Sequence, residues 1–255
     1  MIMWYSRAGA LLGALALLSA CGGGDVAVTP AEIGTGTPTQ DVAGFNGIWQ
    51  GDYTDSSGTI CTDLRGLIYN GNVRAASENC NIVFAGTLSV SGSSANINFD
   101  LFDVDGAGTG QSAFSGSFTL QSRIDGSLDN GGRLSLRYQT VYENNSSLSL
   151  LAADWVFVEA IDVGTIYSFF SIDSSGAVPP FTAASGCNYA ATFSTLDPDY
   201  NLYAVSLTIT SCSDRNGVYN GVASLSGDNR TMTVLAGNDQ NVFFADFLQR
   251  YGGAN

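Results

Sequence analysis

The chain of 255 residues contains no histidine and no lysine, and its nine basic residues are all arginine. Each absence removes a chemistry. Without histidine there is no Ser-His-Asp or Cys-His nucleophile and no imidazole-ligated metal site. Without lysine there is no Schiff base and no phosphate-loop cation. Positive charge is scarce altogether: nine basic groups against 23 acidic ones leave a net charge of −14, which excludes an electrostatic nucleic-acid binder. Long apolar runs are missing too. No 18-residue apolar stretch exists, so a water-soluble body without a spanning helix is expected.

What is present at the start is a short apolar run, Leu11 to Leu18, preceded by Arg7. It is too short to cross a bilayer and has the length of a signal-peptide core, so residues 1–20 are expected to be an export signal with a signal helix. The run ends in Leu18-Ser19-Ala20-Cys21-Gly22. An apolar residue three before a cysteine, with small residues between, resembles the lipobox of bacterial lipoproteins. That resemblance implies cleavage after Ala20 and acylation of Cys21 with fatty chains such as palmitate, which hold the protein to a membrane without a spanning segment. Gly22 where an inner-membrane retention signal has Asp implies the outer membrane, facing either the periplasm or the outside. Residues 21–44, rich in Gly, Thr and Pro, read as a lipidated flexible tether with a reach of about 25 Å.

Five cysteines are present, and setting Cys21 aside leaves an even four in an oxidising compartment: Cys61, Cys80, Cys187 and Cys212. Four cysteines allow three pairings, and sequence distance favours Cys61 with Cys80 and Cys187 with Cys212. A four-thiolate metal site lacks the C-x-x-C spacing it would need.

From residue 45 onward apolar residues recur at period two. Ile97-Phe99-Leu101, Phe114-Gly116-Phe118-Leu120, Leu134-Leu136-Tyr138 and Tyr203-Val205-Leu207-Ile209 each line one face of an antiparallel strand. Turn pairs such as Asn70-Gly71, Ser91-Gly92 and Asp125-Gly126 separate them, and a short helix is expected near Ser147–Ala153. The halves also repeat. Trp49 and Trp155 stand 106 residues apart, Ala75-Ala76-Ser77 with Cys80 is answered by Ala183-Ala184-Ser185 with Cys187, and Phe114-Ser115-Gly116 by Tyr219-Asn220-Gly221. The expected fold is therefore all-β: an antiparallel meander in two repeated, small barrel-like units over 45–146 and 147–250, with a tail at 251–255. One two-sheet sandwich shared by both halves is the alternative.

Gly47-Ile48-Trp49-Gln50-Gly51 resembles the G-x-W-x-G start of lipocalin-type and avidin-type barrels, where the Trp plugs one end. Together with Gly186-Cys187, Cys212 and the Phe-rich Val242-Phe243-Phe244, the chain is similar to a proteobacterial family of two-repeat, β-rich lipoproteins. That resemblance implies localisation and fold, and says nothing of chemistry.

Candidate sites are few. Asp100, Asp103 and Asp105 before Gly106 form the densest acidic cluster, a weak calcium candidate without the twelve-residue loop pattern and otherwise a solvated hairpin end. Arg133 and Arg137 share a polar strand face, where they hold an anion or pair with surface carboxylates. Tyr167, Phe169, Phe170 and Phe181 line a ligand cavity or fill a core. No catalytic set and no cofactor is expected. The leading expectation is a non-catalytic, membrane-anchored module that binds a small ligand or an envelope protein. A lipocalin-like carrier of an apolar or glycan ligand and a carboxylate-based hydrolase are the alternatives.

Overall fold

The computed structural model describes residues 42–104, 106–161 and 164–250. The signal segment, Cys21, most of the tether, Asp105 and the tail lie outside the described residues. Among these residues the first eight strands are β1 (Gly47–Thr54), β2 (Ile60–Tyr69), β3 (Asn72–Ser77), β4 (Ile82–Ser91), β5 (Ser94–Phe102), β6 (Gly108–Thr119), β7 (Arg123–Leu128) and β8 (Arg133–Gln139). Each pairs antiparallel with the next. β8 then returns to β1, from Ile48 against Gln139 to Thr54 against Arg133, and closes a barrel.

A one-turn helix, α1 (Leu148–Leu151), leads into the second set. Its strands are β9 (Asp154–Ile161), β10 (Gly164–Ser171), β11 (Ala177–Thr182), β12 (Asn188–Thr195), β13 (Tyr203–Thr210), β14 (Gly217–Leu225), β15 (Thr231–Gly237) and β16 (Val242–Gln249). They form a second eight-stranded antiparallel sheet in the order β10-β9-β16-β15-β14-β13-β12-β11. Among the described residues each half pairs only within itself, and the shared sandwich does not form.

Alternation decides which residues enter each interior. Ile97 and Phe99, Leu134 and Leu136, and Tyr203, Val205, Leu207 and Ile209 are all buried, as their spacing requires. Leu120 departs from its expected row: β6 ends at Thr119, and Leu120 sits in the following turn, 52% exposed. The repeat is physical as well as textual. Trp49 Nε1 donates to the Phe45 carbonyl at 3.1 Å and Trp155 Nε1 donates to the Leu151 carbonyl at 2.9 Å, each to a turn four residues earlier. Both rings are fully buried, so each indole needs that partner.

The two sheets differ in how they close. In the first, β2 and β3 pair from Arg65 against Ala76 to Tyr69 against Asn72. In the second, the corresponding β10 and β11 are not neighbours in the ladder. β11 carries Pro179 and Pro180, which have no N–H to donate, and its pairing with β12 slips between Val178 and Phe181. The second sheet therefore has a seam. The β9–β16 closure is also short, spanning only Trp155 to Phe157 against Gln249 to Phe247.

A third apolar cluster lies between the two sheets. Outward-facing Ile48, Leu67, Ala76, Val83 and Ala85 pack with Val222, Leu235 and Val242 and with Tyr142 and Leu202. Strands apolar on both faces, such as β2 through Leu64, Leu67 and Ile68, exist because one face fills a barrel and the other meets its neighbour. The approach is close at Gly106, where a Cβ would lie 2.6 Å from the Val242 carbonyl oxygen. Arg65 pairs with Asp246 across the junction, stands 5.4 Å above the Phe244 ring and reaches Glu78 at 3.9 Å.

Candidate functional site

The two barrel interiors are packed with side chains. In the first, Trp49, Tyr53, Phe84, Phe99 and Phe114 interlock with aliphatic side chains in one packed cluster. The second interior holds a cavity of about 30 Å³, bordered by Phe157, Phe170, Phe181, Tyr189, Phe243 and Phe247. That is room for about one water molecule, whereas small-molecule sites take roughly 300–1,000 Å³. Across the seam Phe170 and Phe181 stack at 5.1 Å between ring centres, so rings seal from inside what the backbone leaves unladdered. The expected aromatic set thus divides. Phe170 and Phe181 face inward, whereas Tyr167 and Phe169 point outward, each 57% exposed. The Arg250 guanidinium lies 5.2 Å over Phe169.

Of the acidic cluster, Asp100 and Asp103 are among the described residues, and each is engaged locally. Asp100 accepts a hydrogen bond from Gln111 Nε2 at 2.8 Å, and Asp103 accepts from the Ala107 N–H at 2.9 Å, capping the β5–β6 turn. Among the described residues no three Asp, Glu, Cys or His side chains gather as a metal site. Arg133 and Arg137 lie exposed on the outer face of β8, and among the described residues neither forms an ion pair. The neighbouring carboxylate, Asp125, instead pairs with Arg123 and accepts from Ser135 Oγ at 2.7 Å.

Both disulfides are present as expected. Cys61–Cys80 spans 5.8 Å and Cys187–Cys212 spans 4.8 Å between Cα atoms. Cys80 and Cys187 hold matching places, in the β3–β4 and β11–β12 connections. Their partners do not match: Cys61 is on β2, and Cys212 follows β13.

The larger opening lies between the barrels. A cleft of about 550 Å³ is bordered by Arg74, Thr87 and Asp100 of the first barrel and by Asn238, Asp239 and Gln240 of the β15–β16 turn. Arg74 shares the outward side of β3 with Asn72 and Ala76, opposite the inward Val73 and Ala75. Its Nη1 donates to the Val73 carbonyl at 3.0 Å, its buried Nε has no partner, and none of the ion pairs among the described residues includes it. Burial pulls its pKa down, with the nearby Asp100 charge opposing. Neither Arg74 nor the cleft carries a signal in sequence, where Arg74 is one polar residue on an alternating strand.

Among the described residues, the carboxylates whose pKa moves all move down. Ser57 and Thr59 hold Asp55 down; Ser112 and the Ala113 N–H hold Asp129; Ser175 and the Ala177 N–H hold Asp173; Ser226 and the Arg230 N–H hold Asp228. At Asp63 burial pushes upward, but hydrogen bonds from Ser77 and Asn79 outweigh it. These groups cap turns. Their stabilisation is complete above the unfolded value of 3.8 and is lost as pH falls through the lowered folded values.

Tyrosines at the junction shift the other way. Burial, with Glu143 beside it, pushes Tyr138 up to about 12, and Tyr142 rises through burial and through Tyr138 and Tyr200. Tyr142 stacks on Tyr200 at 4.7 Å. With folded values above the unfolded 10.0, this stabilisation is full below pH 10 and is lost as pH climbs through 12. Near-ultraviolet circular dichroism is therefore expected to collapse above about pH 11, together with a cooperative rise in tyrosinate absorbance. A Tyr142→Phe variant losing its signal at the same pH as the wild type would show that another group is responsible.

No family model matches the chain, and no curated protein matches it. Among solved structures it is similar to the crystal structure of a protein of unknown function from the DUF3598 family of Nostoc punctiforme. The two share 13% identity over 82% of this chain and 97% of that chain, with a TM-score of 0.24.

Proposed function

We propose that this chain is an outer-membrane lipoprotein, anchored through acylated Cys21, whose two β units form a non-catalytic module that binds its ligand or an envelope partner outside the barrels. The observation that carries the binding half of this reading is the contrast in space. The second interior offers about 30 Å³ and the inter-barrel cleft about 550 Å³. That contrast supports recognition at the junction over carriage of a ligand within a lumen. The non-catalytic reading is supported by the lack of histidine and lysine and, among the described residues, by five carboxylates that are held ionised by turn donors. The anchoring half is supported by Leu18-Ser19-Ala20-Cys21 and by the two disulfides, which belong to an oxidising compartment.

Metabolic labelling with palmitate tests the anchor. The wild-type chain is expected to incorporate label and partition into the outer-membrane fraction. Cys21→Ser is expected to incorporate none, to retain its signal segment and to leave that fraction. Label persisting in the variant would overturn the reading.

A further inference from the structure

We propose that the cleft between the barrels binds a small zwitterion, an α-amino acid or short peptide, with its carboxylate against the Arg74 guanidinium and its ammonium against Asp100 and Asp239. The inference rests on the reading of the protein as a binding module and names the class of its ligand.

Arg74 is the starting point. In a chain with 23 acidic residues and nine basic ones, a half-buried guanidinium would ordinarily be met by a carboxylate. Among the described residues it has one protein hydrogen bond, to a carbonyl of its own strand, and an Nε without a partner. Guanidinium carries five donors in a rigid fork that fits a carboxylate through two of them, so most of its donor capacity is unspent. Asp100 lies near enough to act on Arg74 electrostatically, yet the two form no ion pair, and Asp100 is steadied by Gln111. One accepted hydrogen bond leaves a carboxylate able to take others.

The charges along the walls select the ligand. Arg74, Asp100 and Asp239 together make one cation and two anions. A simple anion would meet Arg74 but be repelled by both carboxylates and by the net −14 of the chain. A simple cation would leave Arg74 unmatched. A molecule carrying both charges matches the cation and the carboxylates together. Thr87, Asn238 and Gln240 add a hydroxyl and amides suited to a peptide unit, and Phe102 and Val242 offer apolar contact. At about 550 Å³ the cleft accommodates a ligand of dipeptide size.

Titration calorimetry of the purified full chain with alanyl-alanine, its N-acetyl derivative and its C-terminal amide tests this. The free dipeptide is expected to bind, and each blocked form to bind at least about tenfold more weakly, the scale of one lost charge-assisted contact. Arg74→Gln is expected to erase the difference between free acid and amide. Asp239→Asn, on an exposed turn, is expected to narrow the difference between free and acetylated forms. Should Arg74→Gln fail to fold, Arg74→Lys keeps the charge while losing the fork, and is expected to weaken the free dipeptide alone. Equal binding of all three ligands, tight binding of the acetylated form, undiminished selectivity in Arg74→Gln, or no binding at all would each overturn the proposal. A failure here leaves the anchoring of Cys21 to stand or fall on its own labelling result.

Discussion

Replacing Gly51 with alanine is expected to destabilise the protein by about 4 kcal/mol or more, among the larger effects of a single methyl group. A Cβ at this position would stand 1.8 Å from the Ser135 carbonyl oxygen, 2.9 Å from its carbonyl carbon and 3.0 Å from the Leu136 Cα. All three are backbone atoms of β8, so no side-chain rotation relieves the clash. The methyl group must push β8 away from β1 in the middle of the ladder that closes the first barrel, where Gly51 lies against Leu136. On the other edge Gly51 pairs with Leu64, next to the register shift before Tyr53, so β1 has little freedom to retreat. At roughly 2–4 °C per kcal/mol for a domain of this size, the melting temperature should fall by about 8–16 °C. Calorimetry would measure it, and a fall of less than about 3 °C would show that β8 accommodates the methyl group. The second unit supplies an internal control, because Phe157 stands at the corresponding place and its ring fills the interior against Phe243 and Phe247.

Asn201→Ala is expected to cost about 3 kcal/mol, nearly all of it from stranded polar groups. The Asn201 side chain is 2% exposed as a residue and serves three partners. Its Nδ2 donates to the Leu225 carbonyl at 2.7 Å and the Val141 carbonyl at 3.2 Å, while its Oδ1 accepts from the Leu225 N–H at 3.0 Å. Its backbone N–H donates to the Tyr142 carbonyl at 2.8 Å. One side chain thus ties the end of β14 to the turn Thr140–Glu143 that follows the first barrel. Alanine removes the amide and strands the buried Leu225 N–H and carbonyl, while the Val141 carbonyl keeps only the longer bond from the Asn144 N–H at 3.3 Å. Asn201→Asp should be no milder, because a carboxylate loses both donated bonds and sets its charge against two carbonyl oxygens. Denaturant unfolding would give the value, and a loss under about 1 kcal/mol would mean that water replaces the amide.

How far the sequence disclosed these features follows from the range of the interactions involved. Strands were legible because alternation is local: Tyr203, Val205, Leu207 and Ile209 declare their face whatever lies opposite. The disulfide pairs were legible from parity and distance once Cys21 is set aside. Local pattern does not decide closure between barrel and sandwich, because closure depends on β1 meeting β8 across most of the unit, and its sign, the bare Cα of Gly51, reads in sequence only as part of a short motif. The seam had a visible signal in Pro179-Pro180 that the strand pattern alone did not weigh. Of the four aromatics considered together, period two already separates Phe170 from Tyr167 and Phe169. The inter-barrel cleft was not legible. Outward apolar residues such as Leu67 and Val83 look like any strand interior, and nothing local marks Arg74 or Asn201 as facing a neighbour.

The two disulfides, unlike in their partners, are alike in their reach. Cys61–Cys80 closes a stretch of 19 residues and Cys187–Cys212 one of 25, and each ring stays inside its own barrel. Seen as a covalent graph, the described protein is two small loops on one thread, joined only by the peptide bonds between Gln139 and Asp154. A single cut in that joint would leave two halves with no bond between them. What would then keep them together is the apolar cluster around Leu67 and Leu235, the Arg65–Asp246 pair and, if the cut fell after Tyr142, the hold of Asn201 on Val141.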